Sequence, residues 1–459
     1  MPHPLRCLLT TCILWLLTHA QAPAQQPVAY PDEARLQVLF TDFARDYRAL
    51  GIRGIQLDYR ENLRLIPSVE ELQRRQQVLF SYQQRLNRLR RPQLAPDSRY
   101  DYDQLAFELA FNLRRAELEK RFVRARPDRQ AAATGLATLP DARAWYQLYV
   151  QRYTSLERTP EQLTAFSEAE VKRVQSEIRR LREALGYGRD SAGFYRHLQS
   201  PAFVLTDEQE VLRRYNAIRE RALAGLPRLF LNTDVPGVNI RVIADSGPAT
   251  PPGYYIPEEP GGSEAAPTRG TFYFNFYQQR HNLRAMEWTF LHEAVPGHHY
   301  QFSLTARQTQ LPEFKRLFLY NGHFEGWSAY VEYLGHDLGL YQDLYSELGK
   351  WEWDLVRSVR VALDAGIHAH GWTKAQALAY WRANIPGADD IAEREVNRCI
   401  AWPGQALSYK LGAAQLLEWQ AWLRRKQGPA FDIRRFHALV LSRGQLPLPV
   451  LERLVKEKA

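Results

Sequence analysis

The sequence predicts a mainly α-helical protein with one small β-sheet. Two long segments carry apolar residues at helical spacings of three and four. Each begins with a serine followed three residues later by a glutamate, Ser68 with Glu71 and Ser167 with Glu170, the pattern of a helix capping box. Over residues 238–277 the pattern changes to short runs rich in β-branched and aromatic residues. We therefore expect a helical body of two lobes with a small sheet between them.

The N-terminal segment has the features of a secretory signal peptide. Arg6 precedes a short apolar stretch at residues 8–17, and the small residues that follow allow cleavage after Ala20 or Ala24. The apolar stretch is too short for a membrane span, although an uncleaved anchor is the alternative. We predict a signal peptide over residues 1–24 and a mature protein that is periplasmic and not inserted in the membrane.

The composition indicates a large globular protein. Of the 459 residues, 45% are hydrophobic and 12% aromatic, which is enough apolar surface for a substantial core. The net charge of +9 is spread over helix faces such as EVKRVQSEIRRLREAL, so we expect no nucleic-acid partner. Signal cleavage would leave Cys399 as the last of three cysteines, which excludes an intrachain disulfide.

The elements follow in order along the chain. The first helix is predicted from Ser68 and the second from Ser167 to Gly186 or Gly188. The runs VNIRVIAD and GTFYFNFYQ predict strands on either side of a loop rich in proline and glycine. Helices resume near Leu283 and continue to the end. No linker separates two domains, so we expect an N-terminal helical lobe (25–237) and a sheet with a catalytic lobe (238–459) in one continuous domain.

The stretch LHEAVPGHHYQ at residues 291–301 begins like the zinc-protease motif H-E-x-x-H. In that motif, two histidines four residues apart share a helix face and hold a metal, and the glutamate takes a proton from water. Here His292 and Glu293 keep the start, but Pro296 stands where the second histidine belongs. On a straight helix His298 would lie about 600° around from His292, and His299 about 700° around but about 10.5 Å along the axis.

A break in the helix would change this geometry. Pro296 removes a helical hydrogen bond, and Gly297 permits backbone conformations that other residues avoid. A kink or bulge at these two residues could bring His298 back toward His292. From spacing alone, both His298 and His299 stay candidates for the second ligand.

The segment NGHFEGWSAYVEYLG supplies a third ligand. It places Glu325 and Glu332 seven residues apart, on one face of a helix. Glu325 is the expected ligand. Glu332 is expected either to orient a ligand or to be an ordinary carboxylate on the helix face. His323 could orient either glutamate, and His299 is expected to support the site if His298 binds the metal.

Four motifs in this order resemble a known family. HEAVPGHHYQ, FEGWSAYVEYLG, DAGIHAHGWT and PGQALSYKLG are similar to the bacterial proteins grouped as domain of unknown function 885, over most of the mature chain. That family is placed among metallopeptidases of the gluzincin kind, whose relatives include carboxypeptidase Taq, thimet-type oligopeptidases and angiotensin-converting enzyme. The resemblance implies a largely helical fold with a deep cleft between two lobes.

The resemblance also implies roles for individual residues. Such relatives carry H-E-x-G-H, and two residues inserted before the glycine align His298 as the second ligand. Their ligand glutamate is followed seven residues later by another, as Glu325 is followed by Glu332. A downstream histidine and tyrosine hold the tetrahedral intermediate in these relatives, and His368 and Tyr409 are the matching candidates.

Other residues have two interpretations each. His370 is an alternative for the oxyanion role, and the predicted tyrosine could instead be a core residue. Arg398 could bind the C-terminal carboxylate of a peptide through its guanidinium, or it could form an ion pair with Glu393 or Glu395. In GTFYFNF, an exposed strand could pair with an extended peptide, with Asn275 facing the substrate, or it could be an ordinary half-buried strand.

Together these features predict a secreted zinc-dependent peptidase that acts on short peptides. One zinc ion per chain is expected on His292, His298 and Glu325, with Glu293 as the general base. Two imidazoles and a carboxylate suit several metals, of which zinc is expected first. The alternatives are a metal-dependent hydrolase of a non-peptide amide, such as a cell-wall fragment, and a catalytically silent protein that binds peptides or metal.

Overall fold

A computed structural model describes residues 30–55, 58–125, 135–247, 250–257 and 270–458. It confirms a mainly helical fold with small sheets. Within those ranges the α-helices are α1 (Glu33–Ala49), α2 (Tyr59–Arg64), α3 (Val69–Asn87), α4 (Ser98–Ala125), α5 (Ala142–Thr154), α6 (Pro160–Ala184), α7 (Ser191–Leu198), α8 (Glu208–Leu229), α9 (Met286–Glu293), α10 (His298–Ala306), α11 (Asn321–Val331), α12 (Leu344–His368), α13 (Lys374–Asn384), α14 (Asp389–Ala401), α15 (Leu407–Gln427), α16 (Ile433–Val440) and α17 (Leu448–Lys458).

The strands of the same ranges are short. They are β1 (Val204–Leu205), β2 (Asn239–Val242), β3 (Gly253–Ile256), β4 (Thr271–Phe274) and β5 (His281–Asn282). The predicted signal peptide, with its two cysteines, lies outside the described residues. Among the described helices, none combines the length and apolar character needed to cross a membrane.

The predicted start of α3 is confirmed and that of α6 is wrong. The Ser68 side chain accepts a hydrogen bond from the backbone N–H of Glu71 at 3.3 Å, which satisfies one free donor of the first turn. The helix expected to begin at Ser167 begins at Pro160, seven residues earlier. Ser167 is buried inside that helix, and its hydroxyl donates to the backbone oxygen of Ser358 in α12 at 2.7 Å.

The actual cap of α6 has the same chemistry. Thr159 accepts from the backbone N–H of Gln162, whose side chain in turn accepts from the backbone N–H of Thr159. This is a reciprocal capping box, and Pro160 follows it at the first helical position, where its missing N–H costs nothing. The predicted helix end is confirmed, since α6 stops at Ala184 and Gly186 adopts a φ of +85°.

The three-stranded sheet has the order β2-β4-β3, with β2 parallel and β3 antiparallel to β4. The strands predicted in VNIRVIAD and GTFYFNFYQ are β2 and β4. The segment expected to be only a loop between them also contains β3. Because β4 is hydrogen-bonded on both sides, the expectation that it pairs with an extended peptide is wrong.

The C-terminal helices pack closely around the region of the HEAVPGHH motif. A buried α12 lies against α6, α9, α14 and α15, and α11 packs along α15. At that last contact, a Cβ added to Gly326 of α11 would lie 2.5 Å from the Cα of Gly412 in α15, so a side chain there would hold the helices apart. Helices from both predicted lobes share these contacts, and the predicted division at residue 237 stays a prediction.

Candidate metal centre

The HEAVPGHH motif is a helix that breaks and starts again. The first helix, α9, ends at Glu293, and α10 begins at His298. The four residues between them include a cis peptide bond between Val295 and Pro296. The break redirects the chain so that the rings of His292 and His298 lie 4.8 Å apart between centroids, at 85° to each other. The break at Val295–Gly297 therefore brings His298 close to His292, which a straight helix could not do.

The break needs a residue without a side chain at Gly297. A Cβ there would lie 1.9 Å from the backbone oxygen of His292 and 2.3 Å from that of Leu291. Carbonyl groups of the preceding helix cannot yield without moving His292 itself. The glycine thus permits the close approach that brings the two histidines together.

We expect Gly297→Ala to lower the free energy of unfolding by about 1–3 kcal/mol, the usual cost of forcing extra atoms into a packed site. The two histidines should also separate, which should weaken metal binding. Denaturant unfolding and zinc titration measure both effects. Gly237→Ala is the matched control, because nothing lies within 4 Å of a Cβ at that exposed position. Equal stability of the two variants would contradict this account of the turn.

Glu325 completes a compact group of three side chains. Its Oε2 atom lies 3.5 Å from Nε2 of His292 and 3.3 Å from Nε2 of His298. One donor atom from each residue lies within 4.8 Å of the other two. In the part of the chain that the structure describes, this is the one cluster of three or more such side chains with the spacing of a metal site. We call these three residues the triad.

The other nitrogen of each imidazole is held from behind. Nδ1 of His292 donates to Oε1 of Glu332 at 2.8 Å, and Nδ1 of His298 lies 2.9 Å from the hydroxyl oxygen of Ser328. The second carboxylate oxygen of Glu332 accepts from Arg357 at 2.5 Å. With Nδ1 held from behind, both rings turn Nε2 toward the Glu325 carboxylate. Imidazoles that bind metals are usually oriented in this way.

The imidazoles and the carboxylate of the triad stabilise each other's charges. Burial opposes the charged imidazole, but hydrogen bonds to Glu325 and Glu332 raise the pKa of His292 to about 9. Burial likewise opposes the Glu325 carboxylate, yet hydrogen bonds to His292 and His298 hold its pKa well below the usual range. Without a metal, a proton between the carboxylate and an imidazole links these side chains. A metal cation bound by the same three side chains would replace that proton.

Glu293 differs from the other carboxylates of the site. It is the last residue of α9 and is 9% exposed. Burial raises the pKa of its carboxyl group, although His292 and His298 oppose that rise. Among the described residues its carboxylate has no hydrogen-bond partner, so both oxygens are free to exchange a proton with a bound molecule.

Tyr409 stacks on the ring of His292. The two rings are 6.1 Å apart and inclined at 25°. The Tyr409 hydroxyl oxygen accepts from the Arg398 guanidinium and from the Gln405 amide, each at 3.1 Å. Because that oxygen accepts twice, its own proton remains available to a third group. Burial, followed by the charge of Glu325, raises the pKa of this phenol, so it stays protonated as a donor.

Two predicted supporting histidines do not touch the triad. His299 points away from it, since Nε2 donates to the backbone oxygen of Pro236 at 2.8 Å and Nδ1 lies 3.0 Å from the Tyr255 hydroxyl. His323 was expected to orient a carboxylate of its own helix. Instead its Nδ1 accepts from the backbone N–H of Leu446 at 3.1 Å, and burial lowers its pKa to about 3.

The structure also places His368 and Asn275 apart from the triad. His368 is fully buried, with Nε2 donating to the backbone oxygen of Cys399 and Nδ1 accepting from the N–H of Leu136. It therefore has no proton to offer an oxyanion. Asn275 uses its amide to donate to the backbone oxygen of Thr250, and it faces a separate cavity rather than the triad.

Three residues around the triad were not predicted. Ser328 contacts Nδ1 of His298, and Arg357 donates to the carboxylate of Glu332. Phe324 stacks on His298 at 3.9 Å between ring centroids. Ser328 could have been found, because it lies three residues after the ligand glutamate on the same helix face. No sequence signal indicates Arg357, because α12 meets this site only through the tertiary fold.

The fold and the site define a class: a mainly helical protein with a buried candidate metal site of two histidines and one glutamate. The chain belongs to the family described as "Bacterial protein of unknown function (DUF885)", to which residues 106–455 match. The comparison with curated proteins finds no match. Family membership agrees with the resemblance seen in the four sequence motifs.

Two solved structures are similar in fold. One is a candidate lipoprotein from Colwellia psychrerythraea, with 24% identity and a TM-score of 0.66 over 85% of this chain and 70% of that one. The other is a candidate lipoprotein of unknown function from Shewanella oneidensis, with 17% identity and a TM-score of 0.57 over 84% of this chain and 73% of that one. At these identities the similarity supports the fold alone.

Proposed function

We propose that this protein is an exported zinc-dependent peptidase that hydrolyses short peptides. One observation carries the proposal: two imidazole Nε2 atoms and a carboxylate converge within 4.8 Å beside the free carboxylate of Glu293. A structural metal site needs no unpartnered glutamate next to it, whereas a hydrolase needs a base. The resemblance of the motifs to gluzincin metallopeptidases points to the same chemistry.

The triad fits a zinc ion. Neutral imidazoles and one carboxylate are ordinary zinc ligands, and three protein ligands leave a position open in catalytic sites. The contacts from Glu332 and Ser328 leave the Nε2 lone pairs of His292 and His298 free for a metal. Zinc held there would supply Lewis acidity, which lowers the pKa of water and polarises a carbonyl oxygen.

The protein's own residues would handle the protons. An oxygen of the Glu293 carboxylate would take the proton of the attacking water and then pass it to the nitrogen of the leaving amine. The raised pKa of this carboxyl group suits a base that must also give the proton back. The Tyr409 hydroxyl would donate to the carbonyl oxygen as negative charge develops on it.

Arg398 is the candidate anchor for the C-terminal carboxylate of a peptide. Its Nη2 donates to the Tyr409 hydroxyl, which places its charge beside the proposed oxyanion donor. The carboxylates that could have neutralised it are used elsewhere: Glu393 pairs with Lys374, and Glu395 pairs with Arg360 and Arg394. Among the described residues no carboxylate lies within ion-pair distance of Arg398, so a substrate carboxylate would complete its partners.

Export is supported from two sides. The N-terminal sequence has the pattern of a signal peptide, and the two structural relatives are described as candidate lipoproteins. We propose the periplasm as the place of action. Protease digestion of intact cells and of cells with a permeabilised outer membrane would test this location. A periplasmic protein is cut only once the outer membrane is opened.

The activity is tested by incubating the zinc-loaded protein with a library of short peptides. We expect cleavage that stops when zinc is removed by a chelator and returns when zinc is added. A parallel set of N-acyl amides and muropeptides distinguishes the alternative substrates. Cleavage of those amides without cleavage of any peptide would contradict the peptidase proposal.

We expect Tyr409→Phe to lower kcat by about 100-fold while KM and zinc content change little. Loss of one preorganised donor to a developing oxyanion typically costs about 10²–10³ in rate. Steady-state kinetics on a cleaved peptide provide the measurement. Tyr102→Phe, at a half-buried tyrosine of α4, is the control and should leave kcat unchanged. An unchanged kcat in Tyr409→Phe would remove this residue from the mechanism.

A further inference from the structure

A cavity of about 690 Å³ is lined in part by α9, the helix that carries His292, although no triad residue lines it. Its volume falls within the range of about 300–1,000 Å³ that is typical of sites for small ligands. The walls come from α7, α9, α12 and α14 and from the loops around the sheet. Six of the lining side chains are aromatic: Phe194, Tyr195, Phe203, Tyr277, Trp288 and Trp353.

The helix that carries His292 also forms a wall of this cavity. Trp288 lines the cavity one helical turn before His292, which corresponds to about 6 Å along α9. It stacks on Trp353 of α12 at 5.1 Å between ring centroids. The guanidinium of Arg357 lies 5.6 Å from the Trp288 ring and 5.7 Å from the Tyr409 ring. Arg357 therefore connects the aromatic wall to the proposed oxyanion donor.

Helix α14 also links the cavity to the proposed site. Arg394 lines the cavity and lies one turn before Arg398 on α14. Residues four apart share a helix face, so the cavity and the cation beside Tyr409 lie on the same side of that helix. Asn275, expected from the sequence to face the substrate, also lines the cavity.

The less exposed charges of the cavity wall have partners, whereas Arg280, Asp389 and Asp390 line the cavity at exposed positions. Arg284 pairs with Glu352 at 3.0 Å, and Arg394 pairs with Glu395 at 2.9 Å. The less exposed part of the wall therefore places paired charges next to aromatic rings. A large uncharged group would instead gain the full benefit of contact with the aromatic rings.

We propose that this cavity binds an aromatic or large aliphatic side chain of the substrate, on a residue next to the bond that is cut. The inference rests on the proposed peptidase function and adds its side-chain preference. Small and acidic residues at that position leave the cavity empty or bury a charge without a partner. The enzyme therefore prefers peptides with phenylalanine, tyrosine or leucine there.

The test measures binding rather than turnover. The zinc-loaded Glu293→Gln protein is titrated calorimetrically with alanine tetrapeptides in which phenylalanine replaces each residue in turn, and with matching glutamate peptides. At one position, phenylalanine is expected to lower Kd by about 10-fold or more relative to alanine. Glutamate at the same position is not expected to lower Kd. A second substitution, Ile391→Trp, fills the cavity from a half-buried lining position and should abolish the preference.

The control places the same side chain elsewhere on α14. Asn397→Trp lies on its exposed face and should keep the preference for phenylalanine. Equal Kd values for all peptides, or a preference that survives Ile391→Trp, would overturn the cavity proposal even if the wild type cleaves peptides. If Ile391→Trp loses the preference for phenylalanine but the wild type cleaves no peptide, the result would support the cavity proposal and contradict the proposed function.

Discussion

Glu293→Gln is expected to lower kcat by about 1,000-fold while the protein keeps its zinc. The amide has nearly the same shape but cannot take a proton from water, and general-base catalysis is typically worth about 10²–10⁴-fold. The carboxylate has no partner among the described residues, so its replacement breaks no existing contact. Kinetics on a cleaved peptide and metal analysis by mass spectrometry measure the two parts of the prediction.

The control for this variant is Glu287→Gln on the same helix. Glu287 is also buried, but it pairs with Arg221 and accepts from the backbone N–H of Tyr341. Its loss should reduce stability without changing kcat per folded molecule. If Glu293→Gln cleaves peptides at the rate of the wild type, Glu293 is not the base. If that variant loses its zinc, the carboxylate belongs to the metal site instead.

His298→Ala should lose the zinc, whereas His299→Ala should keep it. Nε2 of His298 lies 3.3 Å from Glu325, while both nitrogens of His299 are engaged by Pro236 and Tyr255. Losing a ligand should weaken binding by more than the roughly 10–100-fold caused by losing a residue that only orients one. Zinc per chain after dialysis against a weak chelator gives the answer.

The two histidine variants control for each other, because they remove the same side chain from adjacent positions. His299→Ala leaves the partly buried backbone oxygen of Pro236 without its donor, so we expect it to lower the free energy of unfolding by about 1 kcal/mol while the zinc content stays full. Zinc lost in His299→Ala and retained in His298→Ala would exchange the two roles and contradict the geometry of the turn.

Local sequence signals predicted much of the site. The seven-residue spacing of Glu325 and Glu332 follows from helix geometry, and one helix face carries both toward the two histidines. Pro296 and Gly297 indicated a break, because the first removes a helical hydrogen bond and the second allows close backbone approach. Spacing alone could not choose between adjacent histidines, since the direction of the chain after the break is set by tertiary packing.

Other features depended on contacts that the sequence does not reveal. The predicted start of α6 was seven residues too late because Ser167 and Glu170 have the sequence pattern of a capping box. The actual cap is Thr159, which stands directly before Pro160. Ser167 has its partner in α12, nearly 200 positions away. The contacts of His368 were missed for the same reason, since its hydrogen bonds to distant backbone groups lie within the core.

The central claim is that His292, His298 and Glu325 hold a zinc ion. Anomalous diffraction from crystals of the zinc-loaded protein, recorded on both sides of the zinc absorption edge, tests it most directly. The account predicts one strong peak per chain, about 2.0–2.2 Å from both Nε2 atoms and from a Glu325 oxygen. A peak elsewhere, or no peak among these three side chains in a protein saturated with zinc, would contradict it.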